Sequence, residues 1–164
     1  MKNPAFFLQK QLKKNNPTAI YNLGHIYNYG LGVNQDYTLA ASFYLQATKL
    51  GSPEAKNSLA LFYAQGLGGL TINRGQALKL IIDSAKQGYP EAQNNLAILY
   101  SDGVDELPVD NQQAYAWYSV AFKNGKESAK ESREIIAKKL THTEYLQANR
   151  LACEYIKKYE SPDF

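Results

Sequence analysis

Apolar residues recur along this chain first at helical spacing and then at a much longer one. Ala19, Leu23 and Tyr27 fall at i, i+4 and i+8, and Ala55, Leu59 and Tyr63 repeat the pattern. Such a stripe marks the buried face of an amphipathic helix. The whole pattern then returns. Leu23, Leu59 and Leu96 stand 36 and 37 residues apart, as do Tyr27, Tyr63 and Tyr100, and Gly30, Gly66 and Gly103. Ala19, Ala55, Ala92 and Ala129 follow the same period, while Ala40, Ala77, Ala114 and Gly51, Gly88, Gly125 recur at 37. Self-similarity at that period predicts stacked supersecondary units.

Each period reads as helix, turn, helix. Pro17, Pro53 and Pro90 suit the first helical position, where a missing N–H costs nothing. Glu54, Glu91 and Glu127 follow in first turns, where the helix dipole favours an acid. Gly30, Gly66 and Gly103 are predicted to end the first helix in the left-handed conformation. Asp36, Asn73 and Asp110 are predicted to cap the second, which Gly51, Gly88 and Gly125 terminate. Asn15 takes the equivalent place one period earlier. Gly24 aligns with Ala60 and Ala97, so it reads as a demand for smallness where helices cross. The glycines around Tyr29–Val33 recur as turn residues in later units and do not read as a phosphate loop.

Composition narrows the class. With 164 residues and 45% hydrophobic content the chain can bury a core and is read as one domain. The net charge is +3, too small to mark a nucleic-acid binder. Residues 1–35 carry four Lys and no acid, which reads as a solvated helix face. No run approaches the roughly 18 apolar residues of a membrane span, and the start lacks the pattern of a secretory signal. Cys153 is the single cysteine, which excludes an internal disulfide and suits a reducing compartment. A cytoplasmic location is expected, or a periplasmic one if an export signal precedes these residues.

With those columns assembled, the sequence resembles the Sel1-like repeat family, a relative of the tetratricopeptide repeats. The matching residues run Ala19, Leu23, Gly24, Tyr27, Gly30, Gly32, Val33, Asp36, Ala40, Tyr44, Ala47 and Gly51, and the stretches 53–68, 90–103 and 112–125 repeat parts of them. The resemblance implies an all-α fold, a right-handed α/α solenoid of helix-turn-helix repeats. The expected divisions are an N-terminal half-repeat helix over 1–15, repeats at 16–51, 52–88 and 89–125, and a C-terminal capping helix pair over 126–164. In the cap, Arg133 and Glu134 replace buried positions, and Thr141 to Glu144 form a capping box. A polar end suits a repeat stack.

No constellation for chemistry is present. His25 and His142 lie far apart, Cys153 reads as core packing beside Ala152, and the acids of 101–110 lack calcium-loop spacing. No catalytic residue, metal site or cofactor is predicted. The single cysteine also argues against the disulfide-rich, penicillin-handling branch of the family, the least favoured reading. The resemblance implies instead a non-enzymatic module that binds a protein or peptide on a concave face lined by first helices. By analogy with tetratricopeptide units, that face carries Tyr21, Asn22, His25 and Asn28, then Asn57, Ser58 and Leu61, then Asn94, Asn95, Ile98 and Ser101. Asn side chains donate and accept, so they can pair with an extended backbone. The alternatives are a bacterial immunity-type protein that neutralises a toxin or effector, and end-to-end self-association through the N-terminal half-repeat.

Overall fold

The computed structural model describes residues 16–104 and 107–161. The half-repeat expected over 1–15, Asn15 with it, and the acids Asp105 and Glu106 lie outside the described residues. Among those described are eight helices: α1 (Pro17–Tyr29), α2 (Tyr37–Lys49), α3 (Pro53–Gln65), α4 (Arg74–Lys86), α5 (Pro90–Asp102), α6 (Asn111–Lys123), α7 (Ala129–Ala137) and α8 (His142–Lys158). An isolated antiparallel bridge between Val104 and Leu107 is the only β pairing among them. The all-α expectation holds, with paired helices recurring as the sequence period requires.

Capping chemistry sets the boundaries. Asn16 Oδ1 accepts from the backbone N–H groups of Thr18 and Ala19, and Ser52 Oγ accepts from Ala55. Asp36, Asn73 and Asp110 each accept from the first turn of a second helix, at 2.9 to 3.0 Å. Thr141 and Glu144 cap each other reciprocally at the start of α8. Each such cap contributes about 1 kcal/mol. Gly30 and Gly66 adopt the left-handed conformation. Gly103 does not: its φ is positive but its ψ is 147°, because the chain leaves α5 in an extended direction toward the Val104–Leu107 bridge.

The chain divides into two compact units, Met1–Leu80 and Ile81–Phe164. In the first, α1 packs on α2 and α2 on α3. Ile20, Leu23, Ala47 and Ala55 are buried, with Phe43 packed against them. Gly24 has a steric reason. A Cβ there would sit 2.7 Å from two ring carbons of Tyr44, itself buried. Tyr44 also meets the ring of Phe62 edge-on at 5.3 Å, so one side chain ties α1 and α3 to α2.

In the second unit, α5, α7 and α8 all pack on α6. Residues 114–121 of α6 are consecutively buried, as befits a helix surrounded on every side. Trp117 stacks on Tyr159 at 5.1 Å and meets Tyr155 at 4.9 Å. Arg133 lies over the ring of Phe122, and Glu134 is exposed. Cys153 corrects the sequence reading. It is exposed, because the small residues Ala148 and Ala152 form the buried line of α8 and Cys153 falls one step off it.

Candidate functional site

The residues expected on a binding face separate once their surroundings are seen. In the first unit, Tyr21, His25 and Tyr29 run down one side of α1 at four-residue steps, with ring centroids 6.2 and 4.5 Å apart. Side chains so spaced are neighbours on a helix surface. Asn22 is half-buried beside them. Asn57 is a correction: it is buried, at 8% exposure, and is not presented to solvent. It stands two positions before the buried Leu59 and is covered as well.

Asn28 and Ser58 have a role that spacing did not reveal. Both act on the hydroxyl of Tyr44 and favour its ionised form, while burial pushes that ionisation well above the ordinary phenol range. The second unit repeats this arrangement with Tyr118, whose ionisation Ser101 and Ser132 favour and burial likewise raises. The residues correspond by repeat position, Asn28 to Ser101 and Ser58 to Ser132. In the middle repeat the tyrosine position is Ile81 and the Asn28 position is Ala64. The hydroxyl and the partner at the Asn28 position are lost together there, while the Ser58 position keeps a polar residue, Asn95. A buried phenol O–H needs a partner, so these polar residues serve the interior as well as the face.

What remains at the surface of the first unit is a cleft of about 260 Å³. It is lined by the end of α1 (Asn28, Tyr29), the start of α2 (Gln35, Tyr37) and the last turns of α3 with their loop (Ser58, Leu61, Phe62, Gln65, Leu67). Phe62 is buried at its base, its ring near-perpendicular to that of Tyr37 with centroids 6.0 Å apart. Leu61 is 46% exposed and Tyr29 61%. Gln35 Nε2 donates to the Asn28 carbonyl at 2.7 Å, holding the loop against α1. Three expected residues, Asn28, Ser58 and Leu61, are thus joined here by aromatics and amides the sequence reading missed. A signal for some of them existed: Tyr29 follows His25, and Gln65 follows Leu61, by one helical turn.

In the second unit, Asn94, Asn95 and Ser101 are half-buried and Ile98 is 38% exposed. Ser101 Oγ is engaged with the Ile98 carbonyl and with Asp102. A second cavity, of about 250 Å³, lies between the starts of α6 and α8. Its carboxylates Asp110 and Glu144 are committed to helix caps. Among the described residues no three His, Cys, Asp or Glu side chains are grouped to hold a metal ion, and no helix is long and apolar enough to cross a membrane.

Comparison with known proteins agrees with this architecture. The Sel1 repeat matches three times in succession, at residues 17–52, 53–89 and 90–126, one residue later than the divisions expected above. A protein described as a component of an ERAD-associated E3 ubiquitin-protein ligase, HRD3A of Arabidopsis thaliana, is 37% identical over 62 residues. That stretch is 37% of this chain and only 9% of that protein. Among solved structures, c5321, a protective antigen of uropathogenic Escherichia coli displaying an SLR fold, superposes with a TM-score of 0.84 at 31% identity. The match covers 97% of this chain and 33% of that one. A Sel1 repeat protein from Oxalobacter formigenes gives 0.69 at 24% identity, over 88% of this chain and 60% of its own, a likeness of fold alone. The chain therefore spans only part of the proteins it resembles. Proteins built of these repeats are generally protein-interaction scaffolds. Three consecutive repeats covering most of its length, with the paired helices that they require, place this chain in the Sel1 repeat family.

Proposed function

We propose that the protein is a non-enzymatic interaction module whose first unit takes an extended segment of a protein partner. The observation that carries this reading is the cleft of about 260 Å³. Its base is the buried ring of Phe62, its walls are the exposed Tyr37 and Leu61, and Gln35 and Gln65 stand on its rim. The cleft sets apolar side chains beside placed polar groups, a combination that fixes the orientation of a bound segment. Aromatic and aliphatic anchors supply most of the binding energy at such sites. Amides at the rim can pair with backbone N–H and C=O groups whatever the partner's side chains. Tyr21 and His25 extend the same surface along α1.

A random-peptide library selected on the full chain tests this. Selected peptides are expected to bind saturably. Leu61→Glu is expected to weaken them tenfold or more, ~1.4 kcal/mol. Because Leu61 is exposed, the melting curve should stay within about 0.5 kcal/mol of the parent's stability. Ile135→Glu, at an exposed position on α7, serves as the control and should leave binding intact. Peptides that bind the Leu61→Glu chain as well as the parent would refute the cleft.

A further inference from the structure

The second unit holds a peptide already, and it is the chain's own. Beyond α8, Tyr159, Glu160 and Ser161 cross the start of α5 and the end of α6. The Tyr159 carbonyl accepts from Gln93 Nε2 at 3.0 Å and from Asn124 Nδ2 at 2.9 Å. The Ser161 N–H donates to Asn124 Oδ1 at 3.1 Å. Gln93 and Asn124 are joined to each other at 2.9 Å, and Gln93 also donates to the Ala85 carbonyl. Both amides are almost completely buried, at 0% and 1% exposure.

Asn124 thus reads the carbonyl of one residue and the N–H of the next but one. That is the pair a single residue of a neighbouring parallel β-strand would read. Glu160, between them, is exposed. The wall against the segment is Gly88, where a Cβ would lie 3.0 Å from Ser161 Cα and 3.1 Å from the Glu160 carbonyl oxygen. Tyr159 supplies a side-chain anchor, stacked on Trp117.

The set of residues belongs to this repeat. At the positions of Gln93 and Asn124 the first repeat has Ile20 and Leu50, and the second has Lys56 and Gln87. Burying an amide without partners costs about 1–3 kcal/mol, and an aliphatic pair like that of the first repeat would avoid the cost. Two buried amides are favourable here because the main chain of Tyr159 and Ser161 satisfies them. We infer that Gln93, Asn124, Gly88 and Trp117 form a main-chain-reading site for a peptide with an aromatic residue, any residue and a small residue in succession, entered from the last turn of α8. Tyr159–Ser161 is its resident ligand, held in cis. Its tether gives it an effective concentration of order millimolar, so an outside peptide meets a filled site.

The test uses a chain ending at Lys158 and a synthetic peptide of residues 159–164, with Trp117, the single tryptophan, as fluorescence reporter. The shortened chain is expected to bind the peptide saturably and to melt higher with it, while the full chain shows no response. A peptide with Pro in place of Ser161 lacks the N–H that Asn124 accepts and should bind at least tenfold more weakly. A peptide with Ala in place of Glu160 should bind equally. A folded shortened chain that ignores the peptide, or equal binding of the Pro variant or by the full chain, overturns the inference. If the shortened chain does not fold, hydrogen exchange on the full chain decides. The Ser161 amide should exchange at least tenfold more slowly than in the free peptide, and this protection should vanish in the Gln93→Leu, Asn124→Leu chain. An unprotected Ser161 amide in the parent, or protection unchanged in that variant, overturns it.

Discussion

Helices α2 and α6 occupy the same place in the first and third repeats, yet they live in different surroundings. In α2 only Ala40, Ala41, Tyr44 and Ala47 are buried, and Tyr37 and Leu39 stand about 40% exposed, at 39% and 41%. In α6 an eight-residue run is buried, Tyr115 to Tyr118 with it. The glycines after second helices differ in the same way. Gly51 and Gly88 share a φ near 90°, but nothing lies within 4 Å of a Cβ at Gly51, while the C-terminal segment covers Gly88. One repeat pattern therefore gives an open cleft in the first unit and a self-filled slot in the second. What differs is which segment lies against the hairpin.

Substitutions at matched positions break or sharpen this contrast. The largest effect is expected at Trp117, whose counterpart in the first repeat is the half-buried Phe43. Trp117→Ala should cost about 3–5 kcal/mol and free the Tyr159 ring, with Phe43→Ala costing less. Thermal melts of the two variants would show it, and equal losses would erase the distinction between the two helices. Next come the glycines. Gly51→Ala and Gly88→Ala carry the same backbone strain, roughly 1–2 kcal/mol, but only Gly88→Ala also drives a methyl into the Ser161 and Glu160 backbone. It should melt lower and raise the exchange rate of the Ser161 amide.

The smallest effect is the most informative about pattern. Tyr44→Phe strands Asn28 and Ser58 and should cost about 1–2 kcal/mol, with Tyr118→Phe similar. Tyr44→Ile with Asn28→Ala recreates the Ile81 and Ala64 combination of the middle repeat. That pair should be less destabilising than the sum of its single changes, the mark of residues in contact. Strict additivity, measured by denaturant unfolding, would dissolve the link between the hydroxyl and its polar partners.

Much of the fold was legible in the chain because it rests on local, repeated chemistry. Pro17, Pro53 and Pro90 begin first helices, Asp36, Asn73 and Asp110 cap second ones, and Gly24 is small because Tyr44 lies against it. The site was legible only in part. Periodicity says which way a residue points but not what meets it there, so it assigns Asn57 to a surface although that residue is buried. Asn28, Ser58 and Ser101 resembled free polar groups although tyrosines two or more turns away in sequence engage them. Tyr37 and Phe62 come from separate helices, and only their packing makes a cleft. The slot for Tyr159–Ser161 pairs residues more than 30 positions apart, beyond the reach of any repeat register.

Hydrogen exchange of the full chain, with and without a saturating library-selected peptide, tests the whole account most directly. The Ser161 amide should be protected from the outset and unchanged by the peptide, while new protection appears in the loops at 30–36 and 66–72 that border the cleft. Protection that arises elsewhere, or a C-terminal segment released when the peptide binds, would contradict it.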